Sequence, residues 1–258
     1  MRGAWLAAGA VVTVFALVLS TALIYRGVAR ARTPEDTTER SIPFTYQELR
    51  VKAAKGDVSV TITPGQAGEL YIRRSLRWSG DRPTVTEDWD ARTRTLRLEA
   101  VCHGSDQPGG PICRADYMLS VPPETDVEAD TAAGWLGADD LFGDVRLSSV
   151  SGEVSASGLS GTFWARTGTG GVHAERLKGE RADVEVGAGN VMLDFLGAPT
   201  SVKAVVRTRG DINVKVPPAL YDVSTEGANT AVNVERAPGS DRKITLRALN
   251  GIVNLCCR

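Results

Sequence analysis

Between Gly134 and Gly179 a glycine returns every nine residues, at 134, 143, 152, 161, 170 and 179. Two residues after a glycine stand Val145, Val154, Phe163 and Val172, and four residues after it stand Leu147, Ala156, Ala165 and Ala174. Seven residues on come Val150, Leu159 and Leu177. Charged or small polar residues fill most positions between. Each unit therefore reads as a short strand with two inward side chains, a turn, and one more inward anchor. Glycine marks the corner, where positive φ or close backbone approach is needed.

Later units are looser but keep the phase. Val191, Leu193 and Phe195 form one inward set, Ile212, Val214 and Val216 the next, followed by Val232 with Val234 and by Val253 with Leu255. Inward residues at 154, 172, 191, 212, 232 and 253 are spaced by 18 to 21, with a second strand-like run between each pair. Two strands per period of about twenty suit one coil of a parallel β-solenoid. An antiparallel sandwich is the rival, since it also has strands every eight to twelve residues. Equal units with a fixed inward pattern favour stacking. Before the clock, Val58, Val60 and Ile62 alternate with polar residues, as do Leu96, Leu98 and Ala100, and Tyr117, Leu119 and Val121. Such short period-two runs are half-buried strands. No convincing amphipathic helix follows residue 43, so the body is expected to be all-β.

The N-terminus differs. Residues 3–25 contain no charged side chain. As a helix they would span about 34 Å, enough to cross a bilayer core. Trp5 and Tyr25 lie at the two ends, where interfacial aromatics belong. We assign residues 1–32 to a transmembrane anchor or signal segment, 33–43 to a polar linker, and 44–258 to the β-repeat domain, clearest from 126. Small-residue sites ending at Ala22 and Ala31 leave cleavage as the alternative to an anchor. Arg26, Arg30 and Arg32 follow the span and only Arg2 precedes it, which by charge alone would keep the body in the cytoplasm. Long domains translocate largely regardless of charge, and the cysteines argue for the outside, so an extracytoplasmic domain on a single-pass anchor is expected.

Composition excludes one partner class. No acid lies in the first 32 residues, so the remaining body has 26 basic against 31 acidic side chains. A mildly acidic body is not a nucleic-acid binder. The residues also suggest no catalytic, metal or cofactor site. His103 lies in a glycine- and proline-rich loop and His173 at an outward strand position, with no second histidine at ligand spacing. Asp139 with Asp140, and Asp183 with Glu185, read as solvated faces. Arg209-Gly210-Asp211 matches a tripeptide that some cell-adhesion receptors read, but Gly-Asp is the unit's own start, as at Gly56-Asp57 and Gly143-Asp144. Cys102 and Cys113 bracket ten residues between two strands, so a disulfide closing that loop is expected, and with it an oxidising compartment. By phase Cys257 should point inward and Cys256 outward, the latter a free or intermolecular thiol.

Several stretches together carry a family resemblance: "VKAAKGDVSV", "YMLSVPPETDVEAD", "SGEVSASGLSG", "GNVMLDF" and "RGDINVKVPPALYDVSTEG". The chain resembles the bacterial adhesin-like family DUF4097 over most of residues 44–255. That resemblance implies a β-solenoid-like domain, often tethered to a bacterial membrane and facing out, with no catalytic residues to carry over. The expected role is a structural or adhesin-like binding module at the cell envelope, attached through residues 3–25 and meeting an envelope polymer or protein. The alternative is an accessory or sensor in an envelope-stress pathway. A polysaccharide-acting enzyme ranks last, because it needs acids or cations converging on one groove.

Overall fold

The computed structural model describes residues 17–21, 33–105, 107 and 110–258. The anchor assignment at 3–25 therefore lies largely outside the described residues, of which 17–21 are helical. No helix among the described residues is long and apolar enough to cross a membrane. The rest is all-β. Eighteen strands join in one hydrogen-bonded network: β1 Glu35–Pro43, β2 Glu48–Pro64, β3 Glu69–Trp78, β4 Thr84–Asp90, β5 Thr95–Val101, β6 Cys113–Val121, β7 Asp126–Ala133, β8 Leu136–Asp139, β9 Val145–Ser151, β10 Val154–Ser157, β11 Phe163–Thr169, β12 Val172–Leu177, β13 Arg181–Ala188, β14 Val191–Phe195, β15 Ser201–Arg209, β16 Ile212–Val216, β17 Asp222–Asn233 and β18 Lys243–Cys257.

From β7 to β14 each strand pairs in parallel with the strand two places later. One face aligns Val127, Val145, Phe163, Ala182 and Val202. The other aligns Leu136, Val154, Val172, Val191 and Ile212. These ten side chains are buried and belong to one continuous core.

The nine-residue clock resolves into two unlike halves of an eighteen-residue period. Glycines 134, 152 and 170 open short strands with two inward residues, and the seventh position is a buried leucine, Leu141, Leu159 or Leu177. Glycines 143 and 161 open longer strands with three inward residues, at 145, 147 and 149 and at 163, 165 and 167. Their seventh position falls outside. Val150, read as an inward anchor, is 70% exposed because Ser149 takes the third inward place.

The glycines form a column at each corner. A Cβ on Gly152 would stand 2.0 Å from the Gly134 carbonyl oxygen, one on Gly170 2.1 Å from that of Gly152, and one on Gly210 1.9 Å from that of Gly189. At the opposite corner a Cβ on Gly161 would meet the Gly143 oxygen at 2.2 Å, and one on Gly179 the Gly161 oxygen at 2.0 Å. Successive turns lie at strand spacing, about 4.8 Å, and at these corners the missing side chain would point straight at the turn before.

The ends depart from simple succession. β2 bends at Gly56 and lies between the turn made by β5 and β6 and that made by β7 and β8. β18 bends near Gly251 and lies between β15 with β16 on one side and β17 on the other. Antiparallel pairs join β1 to β3, β3 to β6 and β4 to β5 at the N-terminal end. The segment 33–43, read as a linker, is thus mostly β1, an edge strand whose polar side chains suit a solvated margin. At the far end Val232 and Val234 are only half-buried, since β17 has no neighbour beyond it among the described residues. Cys257, expected inside, is exposed for a similar reason: the core ends at Leu255.

Candidate functional site

A groove opens where β5 hands over to β6. Cys102 and Cys113 form a disulfide there, with Cα atoms 5.8 Å apart, and both are buried. The loop they close forms one wall of an open groove of about 1260 Å³, whose other walls include Thr33, Lys55, Asp57, Arg77 and Arg114. Its cations are matched. Arg77 donates to Asp116 at 2.8 Å and Arg114 to Asp57 at 3.0 Å, while Lys55 lies 3.8 Å from Glu99. The Asp116 hydrogen bond raises the Arg77 pKa above its ordinary value. A groove so balanced is polar without a strong net field, and His103 and Ile112 add a ring and an exposed apolar side chain to its rim.

A second feature is the outward face carried by β7, β9, β11, β13 and β15. Register places Glu128, Arg146, Trp164, Asp183 and Lys203 in one row. The Arg166 guanidinium lies 4.3 Å from the Trp164 ring centre and that of Arg146 5.8 Å from it. Arg166 also donates to Asp183 at 3.0 Å and approaches Glu185 at 3.6 Å, and Glu185 meets Arg207. Asp183 and Glu185 do point the same way, but each has a guanidinium partner. The product is a flat ladder of paired charges around one half-buried indole. Such a ladder offers hydrogen-bond donors and acceptors at strand intervals and brings no acids together around a reacting atom.

The other residues singled out in the sequence scatter. His173 lies beside Glu175 at 2.7 Å on the opposite face, far along the stack from His103. No group of three or more His, Cys, Asp or Glu side chains could hold a metal ion among the described residues. Asp139 is half-buried, and burial followed by the adjacent Asp140 raises its pKa. In Arg209-Gly210-Asp211, Asp211 Oδ1 accepts from the Ile252 N–H at 2.8 Å, and Asp211 N–H donates to Asn190 at 2.9 Å. Asp126 and Asp144 receive the N–H of the next turn in the same way, at 2.8 and 2.7 Å. These three acids, two of them directly after a corner glycine, clamp one turn to the next.

Two polar arrangements escaped sequence reasoning. Thr131, Ser149 and Thr167 are buried in one inward row, eighteen residues apart, with Thr131 donating to Ser149 and Thr167 to the Gly152 carbonyl. Their spacing was a usable signal. At the N-terminal end Glu87 receives Arg74, Arg40 at 3.1 Å and the Tyr117 hydroxyl at 3.3 Å. Burial first, then the Glu87 charge, pushes the Tyr117 phenol up. No spacing rule links these residues, because antiparallel strands bring them together.

No family profile matches the chain, and no curated protein matches it significantly. Among solved structures it is similar to a putative cell adhesion protein from Clostridium sporogenes, at 14% identity and a TM-score of 0.39, covering 88% of this chain and all (100%) of that one. It is also similar to a putative adhesin from Bacteroides fragilis, at 14% identity and a TM-score of 0.37, covering 85% of this chain and 97% of that one. A putative adhesin from Parabacteroides distasonis gives 9% identity and a TM-score of 0.38 over 85% of this chain and 97% of its own.

Proposed function

We propose that this chain is a parallel β-solenoid held at the bacterial membrane by residues 3–25, facing outward, and acting as an adhesin-like binding or structural module of the cell envelope. The observation that carries the reading is the flat outward ladder centred on Trp164. Paired arginines and carboxylates repeat there along several strands, and an aromatic ring lies among them. That arrangement suits an extended partner, such as an envelope polymer, because each strand-spaced step along the row meets a charged group or the indole. The Cys102–Cys113 pair supports the outward location, since such a bond persists in an oxidising compartment.

Two measurements test this. Full-length chain in detergent is passed over isolated cell-wall polymer and envelope protein fractions. Retention that falls several-fold in the Trp164→Ala, Arg146→Ala variant is expected; no retention on any fraction rejects the binding role. Peptide mapping after thiol alkylation in native membranes should recover Cys102 joined to Cys113. Recovery of both as alkylated thiols would place the domain in a reducing compartment.

A further inference from the structure

We infer that one edge of the domain, the glycine corner running from Gly134 to Gly189, rests on the surface of the bilayer that holds residues 3–25. The inference depends on the membrane-tethered reading above. Thr33, the first described residue after the apolar run, lines the disulfide groove, which opens at this corner beside Gly56 and Ala133. Tyr25 and Thr33 are eight residues apart, so the groove stands within about 30 Å of the end of the span even with the connection fully extended.

The edge beyond the groove carries little charge. Residues 131–135, 149–153, 167–171 and 186–190 are four successive turns of the same corner, held in register, and Glu153, beside Trp135, is the one charged side chain among them. At strand spacing they form a stripe about 15 Å long. Trp135 and Val150 stand out from it at 42% and 70% exposure, and Val101 and Ile112 continue the apolar line at the groove. The opposite corner also exposes apolar side chains, Phe142 and Leu196. It differs in charge, carrying Asp126, Asp140, Asp144, Lys178 and Glu180, and the chain does not enter there. Pressing those charges into the headgroup boundary would strip water from them, whereas the stripe, with Glu153 alone charged, loses less on contact and an indole suits the interface. The cations beside the groove are matched by carboxylates, so the contact draws on the interfacial layer more than on net attraction to anionic lipid.

The test uses full-length chain with Cys256→Ser and Cys257→Ser, reconstituted in phosphatidylcholine vesicles containing one quarter phosphatidylglycerol. A fluorophore is attached at Val150→Cys or, as the control edge, at Phe142→Cys, and spin-labelled lipid is the quencher. Quenching several-fold stronger at 150 than at 142, little changed in high salt and reduced by Thr169→Glu, is expected. Equal quenching at both positions, or none at 150 while the chain stays with the vesicles, overturns the inference. Release of the chain from the vesicles by alkaline carbonate would instead overturn the tether, and the inference with it.

Discussion

A methyl group at Gly170 has nowhere to go. The residue has φ of +120°, and a Cβ there would lie 2.1 Å from the Gly152 carbonyl oxygen, part of a backbone that itself packs on Gly134. Gly239 also has positive φ, at +85°, but nothing stands within 4 Å of its Cβ position. Gly239→Ala should therefore cost only the conformational strain, about 1–2 kcal/mol. Gly170→Ala should cost clearly more in urea unfolding; equal losses would mean that φ alone explains the glycine clock. A second test at this scale concerns Asp139, whose raised pKa means that folding disfavours its charged form. The cost is present at neutral pH and fades as the pH falls through the folded-state pKa, so this site favours folding more at low pH. Asp139→Asn should raise the melting temperature at pH 7 and lose that advantage below about pH 3, where the carboxyl is protonated folded or unfolded.

Among elements, the N-terminal antiparallel strands are joined differently from the rest. β3 and β4 lie on opposite faces, and Arg74 reaches across to Glu87 in a nearly buried pair, with side chains 14% and 13% exposed. Among the described residues Arg74 Nε has no hydrogen-bond partner, so the pair is incompletely compensated, and breaking it is costly. Glu87→Ala should destabilise by about 3 kcal/mol, since it leaves Arg74 uncompensated. Arg74→Leu combined with Glu87→Leu should recover much of that loss in thermal unfolding. If the double variant is as weak as the single one, the pair is held by something other than charge compensation.

For the whole molecule, the order of strands in space is not their order in the chain. β18 fills the place between β16 and β17, and its first half also separates β15 from β17. Its removal would strip neighbours from two sides, unlike removal of a terminal rung. A chain ending at residue 242 should therefore show loss of protection from amide exchange in β15 and β16 as well as in β17. Loss confined to β17 would mean that the last parallel turns stand without β18.

Much of the parallel stack was legible because it repeats. The inward residues at 154, 172, 191 and 212, the buried leucines at 159 and 177, and the all-β class follow from interval and alternation alone, since each turn must present the same face to the next. Local pattern was less able to tell one nine-residue half from the other, so Val150 was given a place that Ser149 occupies. What lay beyond reach was whatever depends on distant partners. The polar run at 35–43 became a strand because β3 offered it an open edge, and Glu87 found Arg74 because two antiparallel elements met across the core. Cys257 and Val232 lost their cover where the stack ends. By itself the sequence determined the turn, its corners and its inward face; only the tertiary structure decided which turns are neighbours, because non-local pairing is chosen by open edges and burial that no single segment contains.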